Sequence, residues 1–312
     1  MSTKKNASGG HKLGQLVGDW YEKHIAAEIF GSVAKDLGLY LDHRFKNRSC
    51  RGGKILWKDL EENTVDYDFV IELGGNDSSY GAPLAFFETF WRRGARHSKD
   101  KARDDSGKLM PMRETYPTAR VLGIVSAGDF TRPAQEYVIS RGIDLFFIPK
   151  DHIIQAWGKS GIQIDYPDGA SEKEKSILVT KAMEKLKQKN KEEEIAKNLY
   201  SICGNAVFES YKERLKATLS SIPISYSLTS VYSGRKNQFN KHEDAESYLK
   251  GFDDSKNIDS KDFSHKVTYE AVYSDGAFFE REGLDISEAL DLHSEVGRVS
   301  DYFKKILNQK KT

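Results

Sequence analysis

Cysteine is nearly absent from this 312-residue chain: Cys50 and Cys203 are its only two, and they make no C-x-x-C pair. That offers neither a zinc site nor a disulfide framework, and two isolated thiols suit a reducing compartment. Long apolar runs are missing too, so no membrane-crossing helix is expected, and the polar start MSTKKNASGGHK lacks the form of a signal peptide. Neither sign of charge dominates, since 48 Lys and Arg stand against 47 Asp and Glu for a formal net charge of +1. A globally basic nucleic-acid binder is excluded, and any polyanion contact must come from a local patch. G-x-G-x-x-G, G-x-x-x-x-G-K-[ST] and G-x-S-x-G are lacking as well, leaving no basis for a dinucleotide fold, a P-loop enzyme or a serine hydrolase. The expectation is a soluble, cytoplasmic protein long enough for one large domain or two smaller ones.

What is present is a regular alternation of elements. Leu13, Leu16, Val17, Trp20, His24 and Ala27 recur at helical spacing, predicting one long helix over His11–Gly38 with Gly38 as its stop. Short extended pieces follow at Leu39–Phe45 and Lys54–Lys58, then strands at Asp66–Leu73 and Leu84–Trp91 joined by the turn-rich GGNDSSYGAP. A helix from about Ala95 to Asp105 comes next. The apolar run RVLGIVSA (residues 120–127) suits a strand covered on both faces, as does IDLFFIP (143–149), with a helix at Thr131–Ser140 between them and another from Asp151 to Trp157. This order predicts an α/β fold with a mixed β-sheet flanked by helices over residues 1–169. Residues 170–222, rich in Lys, Glu, Ala and Leu, read as two helices breaking near Cys203-Gly204. In residues 223–312 the stretches SVYSGRKNQFNKHEDAESYL and AVYSDGAFFEREGLDISEAL resemble each other, predicting a small α+β region made of a repeated strand–strand–helix unit.

The chemistry concentrates between Asp66 and Lys101. Asp66 and Asp68 share one strand, and Glu88 stands on the next among Leu84, Ala85, Phe86, Phe87, Phe90 and Trp91. A carboxylate in such surroundings is costly unless paired, and a divalent cation shared with the neighbouring strand is one such partner. Asp68 is the favoured metal ligand beside Glu88, Asp66 is held in reserve, and Glu22 on the first helix reads as solvent-exposed, with reach to a metal site as the alternative. Arg92, Arg93, Arg96, His97, Lys99, Lys101 and Arg103 follow directly, a cluster suited to phosphates. Acids that hold a metal beside cations that hold a polyanion point to a metal-dependent phosphodiesterase.

Helix, Asp-bearing strand, Glu-bearing strand and helix together resemble the PD-(D/E)xK nuclease superfamily, which includes many type II restriction endonucleases, over roughly Gly14–Trp157. The resemblance implies a restriction-endonuclease-like core in which Asp68 and Glu88 bind Mg2+ and a lysine activates water. Two places depart from the pattern: Tyr67 precedes Asp68 where the family has proline, and Phe90 stands where the lysine belongs. Lys101, four residues from His97 on one helix face, is the proposed replacement, with Lys99 its rival and His97 a candidate base or phosphate contact. The implied activity is magnesium-dependent, site-specific hydrolysis of double-stranded DNA by a homodimer. Arg92, Arg93 and Arg96 would contact the backbone, while Arg235, Lys236, Asn237 and Gln238 on a hairpin would read bases, with Asn76, Ser78, Ser79 and Tyr80 of the GGNDSSYG loop a second choice. The competing expectations are a non-catalytic DNA-binding protein on a degenerate nuclease fold, which Phe90 favours, and an interaction protein dimerising through Ser171–Ser221.

Overall fold

The computed structural model describes residues 8–252 and 266–309. Of the polar tail expected at MSTKKNASGGHK, residues 1–7 lie outside them and Gly9–Lys12 belong to the first helix. The chain divides into two compact units, Met1–Met112 with Val121–Leu215, and Arg113–Arg120 with Lys216–Thr312. Both cysteines are free thiols, and among the described residues no helix is long and apolar enough to cross a membrane.

The first unit opens with α1 (Gly9–Tyr21), which passes through a π-turn at Glu22–Ala26 into α2 (Ala27–Leu37) without a break. Ser8 caps the start, its Oγ accepting from the His11 N–H at 3.2 Å, and Gly38 ends it in the left-handed region at φ 64°. The strands are β1 (Tyr40–His43), β2 (Leu56–Lys58), β3 (Thr64–Asp66), β4 (Phe69–Leu73) and β5 (Ala82–Arg92). Then come α3 (Ser98–Thr115), β6 (Val121–Gly128), α4 (Arg132–Ser140), β7 (Asp144–Pro149) and α5 (Lys150–Lys159).

Five strands form a mixed sheet in the order β1-β4-β5-β6-β7, antiparallel up to β5 and parallel from β5 to β7. The apolar sequence of β5 and β6 is explained by their central places, where both faces are covered. Phe30 of α2 stacks on Phe87 of β5 at 4.0 Å and meets Phe69 of β4 at 5.0 Å, which fixes the long helix to one face of the sheet.

Several boundaries differ from the sequence expectation. The strand expected at Asp66–Leu73 is divided, because β3 pairs with β2 in a separate hairpin and the chain turns at Tyr67-Asp68 before entering the main sheet. The helix expected to end at Asp105 runs on to Thr115, since Ala102, Leu109 and Met112 continue a buried stripe past that point. Residues 170–222 hold three helices instead of two: α6 (Glu172–Leu186), α7 (Lys191–Cys203) and α8 (Asn205–Leu219). The extra break falls at Asn190, which takes a left-handed conformation at φ 60°.

An ion cluster anchors the β1 edge. Arg48 is wholly enclosed and its five N–H donors are all used. Nη1 donates to Asp42 Oδ2 (2.8 Å) and Glu72 Oε1 (2.5 Å), Nη2 to Glu72 Oε2 (2.9 Å) and the Ser79 carbonyl (2.7 Å), and Nε to the Asn76 carbonyl (3.0 Å). The guanidinium also lies between the rings of Tyr40 and Tyr80, at 4.5 and 4.6 Å. GGNDSSYG is therefore tied down from beneath, and Asn76 Oδ1 closes it further by accepting from the Ser78 and Ser79 N–H groups.

In the second unit β8 (Pro223–Ser230), β9 (Lys236–Phe239) and α9 (His242–Lys250) are followed by β10 (Val267–Tyr273), β11 (Phe278–Leu284) and α10 (Ile286–Gln309). The antiparallel order β11-β10-β8-β9 places the two strand–strand–helix units about a central β8–β10 pair. The Val-Tyr-Ser likeness is out of step within that repeat: Val272 and Tyr273 end a strand, whereas Val231 and Tyr232 are exposed in the turn after β8. Both helices pack on the face carrying Tyr226, Leu228, Tyr269 and Ala271. There the His242 and His293 rings stack at 3.8 Å, and Gly297 leaves the space for them.

All four tryptophans (Trp20, Trp57, Trp91, Trp157) lie in the first unit, so their fluorescence reports its unfolding. By that measure Arg48→Met should destabilise it by about 3–5 kcal/mol, the effect of stranding buried carboxylates. A loss near that of a surface pair, about 1 kcal/mol or less, would sink the assignment. Gly297→Ala puts a methyl into the His242 ring and should cost about 1–3 kcal/mol in the second unit, seen as an earlier circular-dichroism melt.

Candidate active site

Pairing of Phe69 with Phe87 sets the register between β4 and β5, and one step further brings Asp68 opposite Glu88. Opposed residues on an antiparallel pair point to the same face, so both carboxylates lie on one side of the sheet. Asp68 is held there by its neighbour across the ladder, with Oδ2 accepting from the Thr89 N–H (2.7 Å) and the Thr89 hydroxyl (2.9 Å). Glu88 is buried, 3% exposed, in the middle of β5.

The third group comes from α3. Lys101, Asp105 and Lys108 recur at spacings of four and three, one face of a helix. Lys108 Nζ lies 3.0 Å from Glu88 Oε2, and the turn that carries it is pinned by Tyr67, whose hydroxyl donates to the Lys108 carbonyl at 2.6 Å. Lys101 Nζ meets Asp105 Oδ1 at 2.6 Å and sits 5.4 Å from the centre of the Phe90 ring. Glu22, in the π-turn, is buried as well and accepts from Arg44 Nε at 2.7 Å.

Crowding of acids governs their ionisation. Burial pushes Glu88 up to about 8, with the charges of Asp68 and Asp105 adding to the shift and Lys108 opposing it. Glu22 is pushed up to about 7 by burial and then by Asp68, against the pull of Arg44. Asp105 is raised chiefly by burial, with Lys101 countering. Burial works against the charge of Lys108, yet Glu88, Asp105 and Asp68 outweigh it and hold the ammonium above its ordinary range. Glu88 Oε1 and Asp105 Oδ2 are buried with no hydrogen-bond partner.

Compared with known proteins, the chain matches no family model, no curated sequence and no solved structure.

Of the sequence candidates, Asp68 and Glu88 come together, while Lys101 is paired with Asp105 beside the Phe90 ring. Asp66 stands apart: its Oδ1 accepts from the Ile55 N–H at 3.0 Å and its other oxygen pairs with Lys54 at 3.3 Å, inside the β2–β3 hairpin. His97 does not share a helix face with Lys101, because it precedes α3 in a left-handed conformation at φ 66°, exposed and paired with Asp100 at 2.9 Å. Lys99 is exposed on α3, Arg96 is exposed before it, and Arg92 is half-buried at the end of β5.

Arg93 is committed elsewhere, to Asp165 (3.0 Å), Asp168 (3.1 Å), the Tyr166 carbonyl and the face of the Tyr166 ring. In the second unit Arg235 lies in the turn, while Lys236, Asn237 and Gln238 form β9 and so alternate in direction instead of sharing a hairpin tip. Asn237 Nδ2 donates to the Tyr248 hydroxyl (2.7 Å), Gln238 reaches Ser225 Oγ (3.4 Å) and Lys236 pairs with Glu270.

Lys108 was the residue missed. Its signal was the continuation of the Ala102–Leu109–Met112 stripe, which carries the helix on past Asp105 and puts Lys108 on the Lys101 side.

A group that binds its proton more tightly folded than unfolded destabilises the fold as pH rises between the two values. For Glu88 these are about 8 folded against 4.5 as the ordinary value, and Glu22 acts in the same direction up to about 7. The urea midpoint read by tryptophan fluorescence should fall from pH 5 to pH 8, and fall less in Glu88→Gln. Equal slopes in the two proteins would refute a raised Glu88.

Proposed function

We propose that the chain is a magnesium-dependent, site-specific DNA endonuclease built on a restriction-endonuclease-like core. The observation that carries this reading is Lys108 Nζ at 3.0 Å from Glu88, with Asp68 opposite on the adjoining strand: two acids and an ammonium, assembled although Phe90 has taken the usual place of the lysine.

Among the described residues no three His, Cys, Asp or Glu side chains are grouped so as to hold a metal ion by themselves. Mg2+ does not demand that, since it commonly takes one or two carboxylates and completes its shell with water and substrate phosphate. The unpartnered Glu88 Oε1, buried among apolar side chains, fits that use. Asp68 and Glu88 would hold the ion. Bound there, it would polarise the phosphoryl oxygen and make a bound water more acidic.

The chain's own groups do the rest. Thr89 keeps the Asp68 carboxylate turned toward its partner strand, and Glu88 orients Lys108. Lys108, kept protonated by the acids around it, serves as a fixed positive charge for the water and for the charge that develops on the phosphoryl oxygens. Arg92, Arg96 and Lys99 are placed along the chain next to this site to hold the DNA backbone, which sets position and not sequence. A homodimer on double-stranded DNA with two-fold symmetry belongs to the same proposal. The rival reading, a silent nuclease fold that only binds DNA, rests on Phe90; the Lys108–Glu88 pair supports the enzyme instead.

The test is incubation of the purified protein with unmethylated plasmid and phage DNA, with Mg2+ or with EDTA. Discrete fragments that require Mg2+ are expected, with Glu88→Ala abolishing them and Lys108→Ala slowing their appearance by about 100-fold or more. Salt-sensitive binding without cleavage of any DNA would overturn the enzyme and favour the silent binder.

A further inference from the structure

We propose that the cleft between the first turns of α1 and the end of β5 holds one unpaired nucleotide of a DNA strand, its phosphate on Arg92 and its base against Trp91. This rests on DNA being the substrate, as read above, and adds a binding position away from the cleavage site. Arg92 stands four residues beyond Glu88, roughly 13 Å along the strand.

The cleft has a volume of about 550 Å3, within the span of roughly 300–1,000 Å3 common to small-molecule sites. His11, Gln15, Trp91 and Arg92 line it, and no Asp or Glu does among the described residues. It is open because α1 carries no side chain there. At Gly18 the helix lies against Trp91, where an added Cβ would fall 3.9 Å from the Trp91 Cβ. One turn earlier a Cβ on Gly14 would meet nothing within 4 Å, and at Gly10 the Tyr166 hydroxyl bounds the space.

Two side chains in that space are uncommitted. Trp20 meets Trp157 edge-on and Trp57 meets Tyr80 and Phe86, but half-buried Trp91 has no ring contact among the described residues. Arg92 is half-buried too, and among the described residues its guanidinium has no ion pair, hydrogen bond or ring contact. Its neighbour Arg93 is by contrast held by Asp165 and Asp168. The main chain of Arg92 is nevertheless fixed, since its carbonyl accepts from the Asp129 N–H at 2.7 Å and packs closely on Gly128, which takes φ 105°. A free guanidinium on a fixed backbone, next to an uncovered indole, suits a nucleotide: the one binds phosphate oxygens and the other stacks on a base. The start of α1 adds little to this, because Ser8 and Glu172 already occupy its first N–H groups. A paired base is stacked within the duplex, so the occupant is unpaired, at a strand end or turned out of the helix.

The test uses the full chain in EDTA, with fluorescently labelled DNA followed by anisotropy. A duplex with one unpaired thymine should bind about 10-fold or more tighter than the same duplex fully paired, and should quench tryptophan fluorescence. Trp91→Phe should keep the binding and lose the quench, while Trp91→Ala weakens binding by about 5–100-fold. Arg92→Ala should reduce the salt slope for a single strand by about 0.7, the value of one phosphate contact. Gly14→Leu fills the cleft and takes a glycine out of a helix interior, so it should melt no earlier than the parent yet bind the unpaired thymine about 10-fold or more weakly. Equal affinity for the paired and unpaired duplexes, or unchanged binding by folded Gly14→Leu, overturns the proposal. Thymidine monophosphate quenching as strongly as the strand at equal concentration overturns it too, and gives the cleft to free nucleotides. A chain that binds unpaired DNA here but cleaves none with Mg2+ refutes the nuclease reading alone. One that cleaves, with binding intact in Gly14→Leu, refutes the cleft alone.

Discussion

Everything around the candidate site answers to one constraint, a carboxyl group placed in the middle of an enclosed central strand. Glu88 lies between Phe87 and Thr89 on β5 and has neighbouring strands on both sides. Ionised and alone it would be costly there by several kcal/mol. The β4 register supplies a second acid directly opposite, which makes the position worse, and α3 supplies an ammonium, which makes it tolerable. The Tyr67 hydroxyl, drawn to the α3 backbone from the bend between β3 and β4, ties these parts together. A strand, a bend and a helix separated in sequence are thus held to one another by the need to satisfy a single side chain.

How much of this could be read from residues alone varied with the range of the interaction. Asp68 and Glu88 were legible, because an acid inside an apolar strand contradicts its surroundings and invites an explanation. The mixed α/β sheet was legible for a related reason: strands buried on both faces show as unbroken apolar runs. Lys108 was not, because its role depends on how far α3 continues, and helix ends are set by packing as much as by propensity. Asp66 stood in reserve to Asp68 on what read as a single strand, but the chain bends between them, sending one into a hairpin and the other toward the sheet. The Arg48 cluster was invisible, since the partners of Arg48, Asp42, Glu72 and Ser79, lie 6, 24 and 31 residues away.

The second unit shows the limits of internal likeness. Its two strand–strand–helix units are arranged about the β8–β10 pair as a duplication would leave them. The matching letters nevertheless fall in a strand in one copy and in a turn in the other. A shared architecture survives where the local sequence correspondence has slipped. The base-reading role expected of residues 235–238 is weakened for a simple reason: on a strand, neighbours face opposite ways, and Asn237 is turned inward to Tyr248.

The first helix carries one more consequence. Its buried residues Leu13, Val17, Tyr21, Ile25, Ile29, Val33 and Leu37 repeat every four positions. An ideal α-helix turns about 100° per residue, so a strict repeat of four creeps around the cylinder by about 40° at each step. The wide turn at Glu22–Ala26 winds more slowly and takes back part of that creep. Phase is therefore a shared property of the core and of Glu22: the irregularity that keeps both halves of the helix against the sheet is also where this buried acid sits, paired with Arg44. Removing one residue from that turn would restore a regular helix and rotate everything beyond it, so the acid and the packing stripe can be changed only together.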